Sequence, residues 1–271
     1  VRMIQRGRGA CLAAEAFDVV LMLVKAYDAR WAAQLIEPCL KPTSLVAGVQ
    51  NGMTADVIAD VVGAERTLGC VIEVSSMMFD PGVVLRHSPP PRSWFAVGSL
   101  DPATRGREAE VADLLRCAGS VEIVDNIRAA KWMKLVSNAT TLVTTAILGL
   151  PMVDAERLPG MREVMLRSGQ EALDAGALLG HPVLPIFGLT SDDMRQSNRV
   201  VEMLLDTLMQ GFVMPDTKTT VLQDWMKGRR SEVDNINGAI PREGSKVGVA
   251  TPVNSLVVAL LKARESSFGL E

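Results

Sequence analysis

The sequence predicts an α/β half followed by an all-α half, divided near residue 125 into units of 1–125 and 126–271. Three observations carry this prediction. Apolar, β-branched runs of strand length alternate with helical segments from residue 17 to 74, the pattern of a parallel sheet with crossover helices. No strand signal of conviction follows Asp125. Residues 127–151 run about 24 positions without an internal proline, enough for a helix of roughly 36 Å.

Each element has its own justification. Residues 1–16 show no clean helical or strand period. Residues 17–24 (FDVVLMLV) are a continuous apolar run, as in a strand buried on both faces. Residues 27–40 form an amphipathic helix closed by Pro38 and Pro42, and 44–49 a second strand ending at Gln50-Asn51-Gly52. A helix over 54–62 follows, with Thr54 as N-cap and Asp56 in its first turn, then a third strand over 67–74. Short strands at 82–87 and 94–98, separated by the proline-rich turn 88–92, predict a small antiparallel addition at the sheet edge, where prolines are tolerated. A helix over 105–117 and a strand over 121–124 complete this half.

The rest reads as helices at 127–150, 161–179, 191–212, 217–227, 232–247 and 252–267. The third starts with Thr190 and Asp193 in capping-box spacing; the fifth is disturbed by Pro241; the last has Thr251 as N-cap and Pro252 at its first position.

Composition excludes several classes. The 271 residues are 48% apolar and 22% charged, as in a globular protein, and the net charge of −3 without a basic block argues against nucleic acid. No apolar run approaches the ~18 residues needed to cross a bilayer. Arg2, Arg6 and Arg8 faintly imitate a signal peptide, but Glu15 and Asp18 interrupt its apolar region. Cys11, Cys39, Cys70 and Cys117 have neither metal nor redox spacing; they read as thiols of a reducing cytoplasm, with no metal site.

Within the long helix, Lys134 and Asn138 are four apart and share one face, with Lys131 and Thr141 close to it. From periodicity alone Lys134 reads either as a snorkelling side chain or as part of a site. An α/β half joined to a helical half places a ligand in the cleft between them, at the carboxyl ends of the strands. Lys25, Asn51 and Ser75 occupy such ends. Each also has an ordinary reading, as a solvated lysine, a turn residue and a strand terminus.

Four motifs then give the chain a likeness. They are Val-Lys-Ala-Tyr-Asp at 24–28, Gln-Asn-Gly-Met at 50–53, Lys134-Leu-Val-Ser-Asn138 followed by Pro151, and Gly-Arg-Arg-Ser-Glu-Val-Asp-Asn-Ile-Asn-Gly at 228–238 with Thr-Pro-Val-Asn at 251–254. In this order the sequence resembles the ketopantoate reductase (2-dehydropantoate 2-reductase) family over nearly its whole length. The resemblance implies a Rossmann-type sheet domain, a helical C-terminal domain for substrate and a homodimer interface, and hydride transfer from NADPH to a small 2-oxo acid. It implies that Lys134 is the proton donor, that Asn138, Thr217 and Thr220 contact substrate, and that Lys25, Asn51, Ser75 and Glu232 face the cofactor.

Two departures qualify the likeness. No Gly-x-Gly-x-x-Gly occurs, and Arg6-Gly-Arg-Gly9 is no substitute, so the expected sheet is incomplete, lacking a first βαβ unit of roughly 30 to 50 residues. Polar positions of the family's pocket are also altered: Leu142, Met152 and Thr217 stand where asparagines are usual, and Thr220 where serine is. A non-catalytic remnant serving as an oligomerisation surface is the alternative expectation.

Overall fold

The structure is a computed structural model that describes residues 16–197 and 199–269. The expectations placed on Arg2, Arg6–Gly9 and Cys11 lie outside the described residues.

Strand β1 (Phe17–Met22) is followed by α1 (Ala29–Ile36), β2 (Leu40–Val49), α2 (Thr54–Val62) and β3 (Thr67–Glu73). β1 pairs with β2 and β2 with β3, both in parallel. Helix α1 is shorter than predicted because Pro38 opens a separate tight turn at Glu37–Cys39, and the chain is already extended at Leu40. Thr54 is not the N-cap of α2: Met53 occupies that position, and the Thr54 hydroxyl is buried without a partner.

The predicted edge addition is rearranged. β4 (Ser76–Met77) and β5 (Leu85–Arg86) form their own two-stranded ladder. β6 (Trp94–Ser99) instead lies inside the main sheet, antiparallel to β3. Its residues from Trp94 to Gly98 are buried, so both faces are covered and an edge position is excluded. A crossover through α3 (Glu108–Leu115) brings β7 (Ser120–Ile123) parallel to β6, giving the order β1-β2-β3-β6-β7.

Helix α4 (Ile127–Ala146) joins this sheet to the helical half, and all of its residues except Arg128 and Leu142 are buried. Gly69 and Gly98 are paired across β3 and β6 and form the seat for its first turn. A Cβ would lie 2.7 Å and 2.8 Å from Ile127 side-chain atoms at these two positions, so only glycines allow the approach. Lys131 then donates to the Gln50 and Cys70 carbonyls at 2.8 and 2.9 Å, tying α4 to the end of β2 and the middle of β3. The threonines of α4 satisfy themselves within the helix, as when Thr145 donates to the Thr141 carbonyl at 2.6 Å. The helix ends earlier than predicted: Gly149 takes a left-handed conformation (φ 69°), and Pro151 follows.

Around α4 stand α5 (Met152–Glu156), α6 (Met161–Leu178), α7 (Ser191–Gln196), α8 (Val200–Gly211), α9 (Thr220–Met226), α10 (Ala239–Lys246) and α11 (Pro252–Ser267). One core runs from Val71, Trp94 and Ala96 of the sheet through α4 to Ala172, Leu204 and Ile240. The predicted helix over 191–212 is two, because Ser197 is extended (φ −97°, ψ 123°); the Thr190–Asp193 capping box is present. Thr251 holds the N-cap position of α11 without a side-chain bond. Glu171 of α6 caps that helix instead, accepting from the Val253 and Asn254 amides at 2.7 and 2.9 Å. Among the described residues, no helix is long and apolar enough to cross a membrane, and no cluster of metal-ligating side chains is found.

Candidate active site

The carboxyl ends of β1, β2 and β3 face α4, α9 and the loop around residue 232, and the predicted site residues meet there as two polar clusters.

The first cluster forms because β1 delivers Lys25 to the helical half. Its ammonium donates to Asp224 Oδ2 at 2.6 Å and to Glu232 Oε2 at 3.0 Å. Glu232 Oε1 accepts the Ala26 amide at 2.7 Å, so this carboxylate also fixes the backbone after the strand. Burial alone would lower the Lys25 ammonium, but the charges of Glu232 and Asp224 outweigh it and hold the group above its ordinary value. Asp224 is raised, chiefly by burial, even though Lys25 opposes the shift. The two directions reflect one cation shared between two carboxylates: Lys25 stays charged, and Asp224 is the carboxylate whose charged form burial disfavours. Arg230 lies 4.4 Å from the centre of the Tyr27 ring and adds a stacking contact beside this cluster.

The second cluster is built on α4. Lys134 is 5% exposed and hydrogen-bonded to Glu73 Oε2 at the end of β3, with its ammonium 5.1 Å from the centre of the Phe187 ring. The snorkelling alternative is therefore excluded. Asn138, one turn on, donates to Asn51 Oδ1 at 3.2 Å, joining α4 to the end of β2. Gly52 has φ 71°, and a Cβ there would meet the Asn235 carbonyl at 2.8 Å, so the turn after β2 presses directly on the loop after Glu232.

A cavity beside the second cluster is lined by Glu73, Ser75, Lys134, Asn138, Thr217 and Thr220, with Leu142 and Met152 among its apolar walls. The Thr220 hydroxyl is buried without a partner. The Thr217 hydroxyl is engaged by the Met214 amide at 2.9 Å, and the Thr217 carbonyl accepts from Met152 at 3.0 Å. Ser75 is held by its backbone, which donates to Ser88 Oγ at 2.8 Å.

Of the eight site residues named from the sequence, Ser75, Lys134, Asn138, Thr217 and Thr220 line this cavity. Asn51 meets it through its bond with Asn138, and Lys25 and Glu232 pair in the first cluster. Glu73, Asp224 and Phe187 were missed. A lone carboxylate closing a buried β-branched strand, as Glu73 does, signals a required counter-charge. Asp224 carried no comparable signal.

Asp224 Oδ1 and Gln50 Oε1 are buried acceptors without partners, in the residue paired with Lys25 and in the one preceding Asn51, and are suited to ligand hydroxyls or amides. No glycine-rich phosphate turn occurs among the described residues.

Known proteins share this sequence pattern and fold. The profile described as "Ketopantoate reductase PanE/ApbA" matches residues 8–100, and "Ketopantoate reductase PanE/ApbA C terminal" matches 126–265. A 2-dehydropantoate 2-reductase of Archaeoglobus fulgidus is 28% identical over 251 residues, covering 92% of this chain and 77% of that protein. The crystal structure of a PanE/ApbA family ketopantoate reductase from Ralstonia eutropha superposes with a TM-score of 0.78 at 25% identity, covering 96% of this chain and 79% of the other. D-mandelate dehydrogenase, solved with NADH and anilino(oxo)acetate, shares the fold at a TM-score of 0.83 and 21% identity, over 96% of this chain and 79% of that one. With the two profiles together spanning most of its length, the chain belongs to the ketopantoate reductase family.

Proposed function

We propose that this protein reduces a 2-oxo acid, 2-dehydropantoate or a related branched one, to the 2-hydroxy acid with NADPH, and that Lys134 is the proton donor. The observation that carries this reading is the buried Lys134 ammonium at the wall of a cavity that also holds Asn138 and the unpartnered Thr220 hydroxyl. We divide the chain functionally at about residue 125, the sheet half holding cofactor and the helical half substrate.

When bound, the reduced nicotinamide supplies a hydride to the carbonyl carbon. The carbonyl π pair moves onto oxygen as that bond forms, and the nascent alkoxide needs a positive charge and a proton at one point. Lys134 Nζ supplies both and is left as a neutral amine that recovers its proton from solvent. Asn138 and Thr220 orient the substrate, and Thr217, whose hydroxyl is already engaged, shapes the wall. Lys25, Asn51, Ser75 and Glu232 form the cofactor side. Glu232 orients a ribose or substrate hydroxyl while the Lys25 charge keeps its carboxylate in place.

A non-catalytic remnant gains no support from a cleft in which these groups converge. The deciding experiment is Lys134→Ala, which should lower turnover of a branched 2-oxo acid by ~10²-fold or more with the melting transition retained. Unchanged kcat would end the assignment.

A further inference from the structure

The proton donor is gripped from two sides. Glu73, the last residue of β3, reaches from the sheet half to the Lys134 ammonium, and the two side chains are 16% and 6% exposed. Phe187 covers a second side of the ammonium with its ring centre at 5.1 Å. It does so from a left-handed backbone conformation (φ 62°), the only positive φ at a non-glycine position among the described residues. For a bulky side chain that conformation is strained, and strain of this kind persists where the surrounding structure holds it. A lysine otherwise disperses over the rotamers of four side-chain bonds and loses that freedom on being fixed. Of the three N–H groups of the ammonium, one is committed to Glu73, while the Lys134 side chain also lines the cavity shared with Asn138 and Thr220.

We propose that Glu73 is the positioning residue of this site: its carboxylate, together with the Phe187 ring, clamps the Lys134 ammonium so that a free N–H points at the substrate oxygen. The clamp rests on the reading of Lys134 as proton donor. It also has a signature in substrate binding. Glu73 presents negative charge to a cavity that takes an anionic acid, so removing that charge misaligns the donor while easing the entry of substrate. Loss of Glu73 therefore acts on kcat and not through weaker binding.

The test uses the full chain and the variant Glu73→Gln. Turnover of a branched 2-oxo acid should fall about 10-fold with KM unchanged or lower, since small misplacements of a reacting group are expensive in rate. In a Lys134→Ala background the same substitution should change kcat less than twofold. An undiminished kcat, a raised KM alone, or additive losses in the double variant would overturn the clamp.

A second readout needs no turnover: trace reductive methylation with formaldehyde and cyanoborohydride, mapped by peptide mass spectrometry and normalised to Lys246, which is 60% exposed. Glu73→Gln should speed modification of Lys134 at least fivefold, and an equal rate would overturn the clamp. If the wild-type chain reduces no 2-oxo acid, the proposed function fails by itself and this readout still decides the clamp. Should Glu73→Gln not fold, Glu73→Asp takes its place in both readouts, with an expected effect of about threefold.

Discussion

Lys25 and Glu232 meet across the two halves of the molecule, Nζ to Oε2 at 3.0 Å, while the other oxygen of Glu232 accepts the Ala26 amide at 2.7 Å. One carboxylate thus fixes both the charge and the backbone at the end of β1. The opposite arrangement stands beside it, where a cation of the helical half, Lys134, meets a carboxylate of the sheet, Glu73. Ion pairs of reversed polarity, Lys25 with Asp224 and Glu232 and Lys134 with Glu73, thus join the two halves, and the consequences can be measured.

Glu232→Ala leaves the Ala26 amide without an acceptor and Lys25 with Asp224 alone. A buried donor left unsatisfied costs about 1–3 kcal/mol, so the melting temperature should fall. NADPH affinity should drop about 10-fold, as when a charge-assisted hydrogen bond is lost. Calorimetric titration beside thermal melting checks both, and unaltered NADPH binding would remove Glu232 from the cofactor side.

Leu142 and Met152 present apolar atoms to the cavity where a polar readout of substrate hydroxyls would need donors. Preference for ketopantoate over 2-oxoisovalerate should therefore lie well below the ~10⁴-fold that hydrogen-bonded readout can reach. Leu142→Asn should raise that ratio of kcat/KM by about 10-fold, the low end of what one added contact delivers. Steady-state kinetics with the two acids decides it.

Lys131 gives a pH signature. Burial pushes its ammonium from the ordinary 10.5 down to about 8. Between these values the unfolded chain holds a proton that the folded chain has lost, so stability rises with pH across that window. Below about 8 both states are protonated, and the contribution is flat. Relative to Lys131→Met, the wild type should gain about 1 kcal/mol between pH 7 and 9, read from urea unfolding at each pH. A difference independent of pH would show that the ammonium is not perturbed.

Gly52→Ala tests the contact between the two halves. The residue would be forced to keep φ 71° with a Cβ 2.8 Å from the Asn235 carbonyl. The loss of stability should be about 1–3 kcal/mol. Because Asn51 precedes it, KM for NADPH should rise as well. A neutral substitution would mean that the turn relaxes freely.

Much of this molecule is local and therefore legible in its residues. Continuous apolar and β-branched runs mark β1, β2 and β3. The four-residue spacing puts Lys134 and Asn138 on one helical face whatever surrounds them, and Pro38 and Pro151 punctuate the chain through backbone geometry alone. What only the tertiary structure decided is which groups face one another. Lys25 finds Asp224 and Glu232 at separations of 199 and 207 residues, and Lys134 finds Glu73 at 61. β6 enters the sheet interior and not its edge because the α3 crossover supplies β7 to cover it. Periodicity is a property of neighbours along the chain, whereas charge pairing and strand order depend on distances through space. Those distances exist only once α4 is seated on Gly69 and Gly98 and the two halves close over the cleft.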